Sequence, residues 1–558
     1  MIRLQRIESN VERTAPRLLA GIAILAAISG TAFSAQAAII AETVSPFNDV
    51  LNPGQTYSIK YKFSSTGATS TAHKVFLHVI DSNGVIKLQD DHYPQTPTTQ
   101  WFDVNVSPIP DISYVRPLTI PSNFAAGDYK VVVGLYNGNN RLQLIPGQRV
   151  TEYCAGCKSY LIANLTVTTR QVISANFTCN DIYTDPQTWT DNTSNIRSFF
   201  TSITSGNSQS TAPIYKLPLG GCKYITNDSN GGNLKIWGKN NFEIIGRGIP
   251  DTVLYAGNRL QSSIIISSTS NAAIRHLSIS TQRVPGDRVW DGASSRGIYV
   301  ENSTGTAVKN TQISNVASAG MVFYNSSNNT IDSNEIIQTE ADGIQITGTS
   351  SDTLINKNWA HETGDDSYSS IGYGANLVQR TTITNNYSGF SKASGIAIEG
   401  TDTATVQWNE VKYSEVSGIR IASIAYWSSG QVSNVIASNN HLQEVRTRCN
   451  IDAEHAAVMI FADYANVSNI QFTNNTISNP RTWDGIRVRG ATDGSSAPTA
   501  SSITINNNAL TSTGQNASCQ YYGTNLTQCL SVGPNTSGIT ATGNTWKING
   551  TSQYCNNL

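Results

Sequence analysis

The chain has 558 residues, of which only 13 % are charged, and its formal net charge at pH 7 is -1. A chain of this length can form more than one domain around a large hydrophobic core. A protein with so little excess charge lacks the basic surface that binds nucleic acid or anionic membranes. Abundant small polar residues together with few charges favour an all-β protein with many turns.

The N-terminus has the pattern of a secretory signal. Four arginines precede the apolar run LLAGIAILAAISGTAF, and SAQA then gives an A-x-A cleavage pattern that ends at Ala37. The apolar run is short for a membrane span, and small polar residues follow it. We therefore predict a signal peptide over residues 1–37 and a mature protein that is secreted or periplasmic.

The cysteines indicate disulfide bonds. The chain has 8 cysteines, an even number that an exported protein normally pairs. The CAGC segment at Cys154 has no second CxxC and no nearby histidine, which favours a local loop bridge over a metal site or redox pair. Cys179–Cys222 and Cys519–Cys529 are plausible further bridges, but the sequence leaves the pairing open.

Residues 39–170 have the pattern of a β-sandwich. Short runs such as TYSIKYKF, KVFLHVID and YKVVVGLYN alternate apolar and polar residues, and turns that contain Pro or Gly separate them. The segment FAAGDYKVVVGLYN resembles the closing strands of immunoglobulin-like modules that accompany bacterial glycan-active enzymes. No catalytic constellation is present here, so we predict a supporting or binding module.

The rest of the chain repeats with a period near 23 residues. Gly297, Gly320, Gly343 and Asp366 are each 23 residues apart and open short β segments such as RGIYVEN, AGMVFYN and DGIQITG. A period of this length with three β segments per repeat is typical of a solenoid. The pattern resembles the right-handed parallel β-helix of the pectin-lyase-like superfamily, which implies that fold for residues 175–558.

A second register and a helix fit the same interpretation. In each repeat an asparagine follows a short strand, where its side chain can hydrogen-bond along the stack and its backbone tolerates the left-handed conformation. These residues are Asn310, Asn334, Asn358, Asn386, Asn409, Asn440, Asn475 and Asn508. Residues 193–205 place apolar side chains on one helical face, so we predict a helix that covers the open edge of the first coil.

Three aspartates align on adjacent coils of this solenoid. Asp342 in ADGIQI lies 23 residues before Asp365 in GDDSYSS, so we expect these two to stack and Asp366 to stack on Gly343. Close carboxylates cannot all ionise equally, so the pKa of one rises and it can hold a proton near neutral pH. Glycoside hydrolysis needs that division, with one acid for the leaving oxygen and one base for water.

The outward side chains of the same strands predict a substrate cleft. Arg420 in SGIRIAS falls two coils later at the outward position that Gln345 and Tyr368 occupy, and Tyr299 and Arg487 extend the row. By strand alternation, the flanking isoleucines point into the core. We therefore predict that Tyr299, Gln345, Tyr368 and Arg420 contact substrate.

These motifs resemble those of polygalacturonases and of related β-helical dextranases and α-1,3-glucanases. Those enzymes have Asp-Gly on one coil, Asp-Asp on the next and an Arg beyond, as in ADGIQI, GDDSYSS and GIRIASIAYWSSGQVSN here. The resemblance implies that Asp365 is the general acid and that Asp342 and Asp366 position and deprotonate the attacking water. It also implies inversion at the anomeric carbon, although stacked acids could give the shorter carboxylate spacing of retaining enzymes.

Two departures from the polygalacturonase pattern bear on the substrate. Polygalacturonases have a histidine where ASGIAI has Ser394, and a lysine that meets the uronate carboxylate where Ala422 stands. The loss of both favours a neutral glycan, such as an α-glucan, over pectin. The dextranase-like relatives also pair an N-terminal β-sandwich with the β-helix.

Simpler interpretations apply to several of these features. Asp484 in WDGIRVRG takes the same place as the first aspartate on a coil without an acid pair, so an Asp there can simply cap backbone N–H groups. His361 is typical of a surface histidine, and Trp290, Trp427 and Trp483 can either stack on sugar rings or cap loops. GDDS lacks the spaced acids of a calcium loop and no histidine pair has zinc spacing, so we expect no metal and no cofactor.

Taken together, these features predict an exported all-β glycoside hydrolase whose partner is a polysaccharide. It would combine an immunoglobulin-like β-sandwich with a right-handed parallel β-helix. One alternative is a lyase or C5-epimerase of the same superfamily acting on uronates, which needs a base beside a group that neutralises the carboxylate. The other alternative is a non-catalytic β-helical adhesin. The sequence leaves the oligomeric state open.

Overall fold

The computed structural model describes most of the chain. The described residues are 39–41, 47–65, 69–101, 111–146, 150–225, 234–260, 263–289, 295–447, 456–481, 484–491, 497–512, 528–548 and 550–555. The predicted signal peptide, Cys519, Trp290 and Trp483 lie outside them. Within these ranges, no helix is long and apolar enough to cross a membrane.

The N-terminal region consists of two sheets that share one hydrophobic core. Its strands are β1 (Ile39–Ala41), β2 (Asn48–Leu51), β3 (Thr56–Ser65), β4 (Lys74–Ile80), β5 (Ile86–Gln89), β6 (Asp111–Thr119), β7 (Gly127–Asn137), β8 (Asn140–Arg141), β9 (Ile145–Pro146), β10 (Thr151–Glu152) and β11 (Tyr160–Val167), with a 3₁₀ helix at Thr98–Gln100. The first sheet has the order β6-β3-β1-β9, and the second has the order β10-β11-β7-β4-β5, with β2 beside β11 and β8 beside β7. Alternate residues of β3 are buried in the shared core, from Tyr57 to Phe63, as the period of two in the sequence requires. The likeness to immunoglobulin domains stays a prediction.

The remaining strands wind into a parallel β-helix with three sheets, one strand of each per coil, as the repeat predicted. Sheet A contains β12 (Val172–Ser174), β13 (Ile214–Lys216), β16 (Asn240–Ile245), β19 (Ser270–Arg275), β22 (Ala307–Lys309), β25 (Thr330–Asp332), β28 (Ser351–Asn356), β31 (Val378–Thr384), β34 (Thr401–Gln407), β37 (Val432–Ser438), β40 (Val467–Thr473), β43 (Ala500–Asn506) and β46 (Thr536–Thr542). Sheet B contains β14 (Gly220–Tyr224), β17 (Thr252–Ala256), β20 (Ser278–Ser280), β23 (Gln312–Val316), β26 (Glu335–Thr339), β29 (Trp359–His361), β32 (Tyr387–Gly389), β35 (Glu410–Lys412), β38 (His441–Gln443), β41 (Thr476–Ser478), β44 (Ala509–Ser512), β47 (Thr545–Ile548) and β48 (Thr551–Tyr554). Sheet C contains β15 (Leu234–Trp237), β18 (Ile264–Ser267), β21 (Ile298–Glu301), β24 (Met321–Tyr324), β27 (Ile344–Thr347), β30 (Tyr368–Ile371), β33 (Ser394–Glu399), β36 (Ser417–Ser423), β39 (Val458–Ala462), β42 (Asp484–Gly490) and β45 (Gln528–Val532).

A continuous column of apolar side chains fills the interior of the coils. The inward position of sheet C is fully buried on six successive coils, at Ile298, Met321, Ile344, Tyr368, Ile396 and Ile419. Complete burial of such a side chain contributes about 1.5–3 kcal/mol. Because this column fixes which residues face inward, it also fixes which ones face the cleft.

A helix closes the N-terminal end of the β-helix, as predicted. This helix, α1 (Thr193–Thr201), follows a 3₁₀ helix at Pro186–Thr188. Its buried face, with Ile196 and Phe200, belongs to the same core as the first coils. It ends at Thr201, four residues before the predicted end, but Ile203 still packs into the core.

The disulfides confirm part of the predicted pairing. The bridge within CAGC and the Cys179–Cys222 bridge are both present. The predicted Cys519–Cys529 bridge is wrong, because Cys529 pairs with Cys555 instead. Strand β48 turns back antiparallel to β47, and the Cα atoms of Cys529 and Cys555 lie 5.2 Å apart.

A ladder of buried asparagines follows the turn between sheets A and B. At each step the backbone N and Nδ2 of one asparagine donate to Oδ1 of the next, as from Asn358 to Asn386 at 2.8 and 3.0 Å. The members are Asn334, Asn358, Asn386, Asn409, Asn440, Asn475, Asn508 and Asn544. Asn310 has the predicted left-handed backbone but is not a member of the ladder, whereas the ladder asparagines lack that conformation. Asn310 has φ 48°, and Thr311 takes the ladder position and donates its N–H to Asn334.

Candidate active site

Three carboxylates meet where strands β27 and β30 of sheet C begin. One oxygen each of Asp342, Asp365 and Asp366 lies within 4.8 Å of the other two. Asp342 and Asp366 are only 4 % and 2 % exposed, whereas the side chain of Asp365 is 30 % exposed. The cluster therefore has two sealed carboxylates and one that opens to the cleft.

Glycine allows the turn with Asp365 to approach the previous coil closely. The backbone N of Asp365 donates to Ala341 O at 3.2 Å. A Cβ at Gly364 would lie 2.3 Å from the carbonyl carbon of Glu340. Any other residue at position 364 would push the turn, and Asp365 with it, away from Asp342.

The register of the acids differs from the predicted one. Strand β27 pairs with β30 so that Ile344 lies opposite Tyr368, an offset of 24 residues rather than 23. Asp366 therefore continues the position of Asp342, and the predicted stacking of Asp365 on Asp342 and of Asp366 on Gly343 is wrong. The extra residue lies between Thr347 and Leu354, which are seven positions apart, whereas their partners on the previous coil, Tyr324 and Thr330, are six positions apart.

The same register turns Tyr368 into the core. Tyr368 is fully buried, and its hydroxyl donates to the carbonyl oxygens of Asn358 and Tyr387 at 3.0 and 2.7 Å. The predicted substrate contact of Tyr368 is therefore wrong. Ser369 takes the outward position instead, and its hydroxyl donates to Asp342 Oδ2 at 2.7 Å. Ser369 was not predicted, because the 23-residue repeat aligned strand β30 with β27 one residue out of register.

The other three predicted binding residues do share one outward row of sheet C. Strand pairing carries the row from Tyr299 through Gln345 to Arg420. Tyr299 is largely buried, and its ring lies 4.7 Å from the guanidinium carbon of Arg296. Gln345 and Asp342 line a cavity of about 80 Å³, which has room for one or two waters. The row position is as predicted, and the contacts with substrate stay a prediction.

Arg420 lies between two buried carboxylates, and its own side chain is 14 % exposed. Its Nη2 lies 2.9 Å from Asp366 Oδ2, and its Nε lies 2.7 Å from Glu399 Oε1. The other oxygen of Asp366 accepts a 2.7 Å hydrogen bond from the backbone N of Ser394. Sequence reasoning missed Glu399, although the register places it opposite Ala422 and therefore beside the arginine motif.

A loop before β21 covers the opposite side of the acids. Arg288 Nη1 lies 2.5 Å from Asp365 Oδ2. In the same loop Arg283 pairs with Glu340, which also accepts a 2.9 Å hydrogen bond from Gly286 N. The loop is therefore tied to the coil of Asp342 and supplies the second arginine of the site, which no motif indicated.

The pKa values of two of the three acids, Asp342 and Asp366, are raised. Burial, followed by the negative charges of Asp365 and Asp366, raises the pKa of Asp342 well above its usual value. Burial raises the pKa of Asp366 to about 7 even though Arg420 acts against this. Asp365 and Asp366 each contact an arginine, whereas Asp342 receives a hydroxyl donor from Ser369. The structure therefore favours Asp342 as the carboxyl that holds a proton.

The acids also have the geometry of a cation site. Their oxygens lie within 4.8 Å of one another, and carboxylate oxygens are the ligands that Ca²⁺ and Mg²⁺ prefer. Arg288 contacts Asp365, and Arg420 is shared by Asp366 and Glu399. Two arginines therefore balance only part of the negative charge of the cluster.

A larger cavity, of about 570 Å³, lies apart from the acids, between the N-terminal sheets and the β-helix. Its lining includes Asp128 and His276, and burial lowers the pKa of His276 to about 4. Nearby, buried Asp49 contacts Lys216 at 3.2 Å and Arg247 at 2.6 Å. These ion pairs fix the N-terminal region against the first coils.

Comparisons with known proteins agree with this architecture. A family model described as "Right handed beta helix region" matches residues 225–387, and no curated protein matches the chain. The chain is similar to the Agl-KA catalytic domain, with 15 % identity over 89 % of this chain and 90 % of that chain and a TM-score of 0.52. It is also similar to the catalytic domain of a GH87 alpha-1,3-glucanase in complex with nigerose (17 % identity, 92 % and 96 % covered, TM-score 0.44). A third match is a hyperthermoactive exopolygalacturonase from Thermotoga maritima (13 % identity, 69 % and 93 % covered, TM-score 0.47). The family model and the Agl-KA likeness show the right-handed parallel β-helix fold.

Proposed function

We propose that the chain is an exported glycoside hydrolase that cleaves a neutral polysaccharide with inversion, using Asp342, Asp365 and Asp366. The observation that carries this proposal is the close approach of three unequally buried carboxylates, with burial and the neighbouring charges raising the pKa of Asp342. Such a group supplies an acid and a base to the same bond. The predicted signal peptide and the disulfides support export.

Asp365 is the general acid in this proposal, because it is the most exposed carboxylate and can reach the leaving oxygen. Asp342 and Asp366 are sealed and act on substrate through a water. The cavity of about 80 Å³ beside Asp342 has room for that water. The short distance between the carboxylates is nearer to the ~5–5.5 Å of retaining enzymes. The burial of Asp342 and Asp366 supports inversion, since a retaining nucleophile must itself reach the anomeric carbon.

A single proton shared by the cluster can provide both the general acid and the general base. In the free site we place it on Asp342, whose pKa is raised by burial and by the neighbouring charges. Its transfer to Asp365 would give the leaving group its acid and leave Asp342 as the base for water. Arg288 opposes the transfer while it pairs with Asp365, so opening of that ion pair belongs to the catalytic cycle.

The charges at the site support a neutral substrate. Arg288 and Arg420 both contact carboxylates of the chain itself. A uronate would add a negative charge next to the acids, where like charges repel. The same point counts against a lyase, which needs a positive group for the carboxylate of its substrate.

The test is release of reducing ends from dextran, soluble α-1,3-glucan oligosaccharides and polygalacturonate. We expect hydrolysis of a neutral glucan by the wild type, at least 1,000-fold slower turnover (on the order of 4 kcal/mol) for Asp365→Asn, and a product that proton NMR shows to be inverted. Asp484→Asn is the matched control, because Asp484 lies in the same register position on a coil away from the cluster. An ultraviolet-absorbing product would identify a lyase, and equal activity of Asp365→Asn and wild type would refute the proposed acid.

A further inference from the structure

We propose that Tyr373, Tyr426 and Trp427 form an aromatic wall that binds sugar units of the glycan next to the bond that is cleaved. The acids lie where strands of sheet C begin. The wall lies where strands of the same sheet end, on the opposite side of the cleft. The class of ligand rests on the proposed function. The binding itself can be measured without turnover.

The aromatic wall follows directly from the strands that position the site. Tyr373 comes two residues after β30, the strand that begins next to Asp366, and the other two residues come shortly after β36, which carries Arg420. Only β33 separates these strands in sheet C, so they are about 10 Å apart at the usual strand spacing. That distance suits a short oligosaccharide lying across the strands.

Tyr373 connects the wall to the acids. Burial raises its pKa to about 12, and the negative charges of Asp342, Glu399 and Asp365 add to this effect. The phenol therefore lies within electrostatic range of the cluster, yet the residue is 41 % exposed. A hydroxyl in this place can hydrogen-bond a sugar bound next to the acids.

Two loops are joined into one surface. Tyr373 forms an antiparallel bridge with Ser429. Gly374 N donates to Ser428 O at 2.8 Å, and Gly430 N donates to Gly372 O at 3.0 Å. These backbone bonds fix the loop after β36 against the loop after β30, so the three aromatic residues move together.

Tyr426 and Trp427 occupy the centre of a tight turn. The turn is closed by a 3.0 Å hydrogen bond from Ser428 N to Ala425 O. Ala425 N donates to Asp463 Oδ2 at 3.1 Å, which holds the turn from the other side. At its base Ile424 packs against Ala422, Met459 and Phe461. A turn held on every side presents its side chains in a fixed arrangement, and less entropy is lost when a ligand binds.

The exposed rings have the chemistry of a neutral glycan site. Tyr426 is 83 % exposed and Trp427 is 48 % exposed, and their rings meet edge to face at 4.6 Å. Flat aromatic faces pack against the CH faces of pyranose rings, and the phenol and indole tips can hydrogen-bond hydroxyls.

The experiment uses the full chain with Asp365→Asn, in which we expect turnover to be lost and binding to be kept. Calorimetric titration with soluble gluco-oligosaccharides of two to six units is compared for this protein and for added Trp427→Ala or Tyr426→Ala. Matched controls are Trp408→Ala and Tyr183→Ala, two exposed aromatic residues elsewhere, at 57 % and 89 % exposure. We expect each wall substitution to weaken binding about tenfold, and the controls to leave it unchanged.

Kinetics of the otherwise unmodified protein complete the test. We expect Trp427→Ala to raise KM for long oligosaccharides more than it lowers kcat, with a smaller effect on the shortest substrate. Wall variants that bind as tightly as the controls, or an Asp365→Asn protein that binds no oligosaccharide, would overturn the wall. Binding that depends on the wall, without hydrolysis of any glycan by the wild type, would support the wall and refute the hydrolase.

Discussion

Arg288 Nη1 lies 2.5 Å from Asp365 Oδ2, although 77 residues separate them in the chain. This ion pair joins a loop to the exposed member of the acid cluster. The positive charge of Arg288 also lowers the pKa of Asp342, acting against burial and the neighbouring acids. Arg288 therefore influences how tightly the whole cluster holds its shared proton.

Substitution of Arg288 should change the pH profile of hydrolysis. In Arg288→Gln the cluster loses a nearby positive charge, so its pKa rises and the proton is retained to higher pH. We expect the alkaline limb of the kcat/KM profile to move to higher pH by about one unit. Arg283→Gln is the control, because it breaks the ion pair with Glu340 in the same loop. The same shift in both variants would mean that loop displacement, not charge, is the cause.

Replacement of Asp342 by a residue that cannot ionise should stabilise the fold at neutral pH, because ionisation of the aspartate favours the unfolded state. Burial raises the pKa of Asp342 in the folded state. Its contribution to stability is therefore fully present below the unfolded value near 4 and is lost as the pH rises through the folded value. We expect Asp342→Asn to have a melting temperature a few degrees above wild type at pH 8, and no advantage at pH 4.

The control for this experiment is a surface aspartate with the opposite shift. A hydrogen bond from Arg380 lowers the pKa of Asp352, so Asp352→Asn should bring no gain at pH 8. Thermal unfolding followed by circular dichroism at pH 4, 6 and 8 compares the variants. A lower melting temperature for Asp342→Asn at pH 8 would contradict the proposed burial cost.

The buried ion pairs of Arg420 should show strong coupling. Arg420→Met leaves Asp366 and Glu399 buried without their counter-charge, and loss of one partner of such a group typically costs about 3–5 kcal/mol. Adding Glu399→Gln removes one of the two stranded charges and should recover part of that loss. Denaturant unfolding of both variants and of Glu399→Gln alone gives the coupling energy. Additive effects would show that Arg420 does not hold the two acids together.

The solenoid could be predicted because its physical cause is periodic. Aliphatic side chains return to the inward position on every coil, and the ladder asparagines return to the same turn. The cluster of Asp342, Asp365 and Asp366 was predictable for the same reason. Its register was not, because one extra residue in the turn after β27 turns Tyr368 inward and Ser369 outward.

Site residues that lie in loops, or at one strand position that is small on the next coil, could not be predicted from the repeat. Arg288 lies in a loop outside the coil pattern, so no spacing connects it with Asp365. Glu399 takes the strand position that Ala422 takes on the next coil. Only the register between these two strands shows that Glu399 lies beside Arg420. Periodicity therefore predicts which coil carries a group, and side-chain contacts across coils require the structure.

The asparagine ladder leads to a last prediction, because each inner member forms hydrogen bonds with the asparagines of both adjacent coils. Asn409 donates its backbone N–H and Nδ2 to Asn440 Oδ1 and accepts the equivalent bonds from Asn386, all near 3.0 Å and all buried. Asn409→Ala would leave two donors of Asn386 without a partner, each costing about 1–3 kcal/mol. We expect a loss of about 2–5 kcal/mol in the free energy of unfolding.

The control for Asn409 is Asn385, an exposed asparagine that directly precedes the ladder position of the previous coil and has φ 56°. Asn385→Gly keeps that left-handed conformation and removes only solvent-exposed side-chain bonds to Asn356 and Thr384, so it should cost less than about 1 kcal/mol. Denaturant unfolding compares the two variants. Equal losses would mean that the ladder is not the source of stability, whereas a large loss only for Asn409→Ala would show that buried amide bonds hold the coils in register.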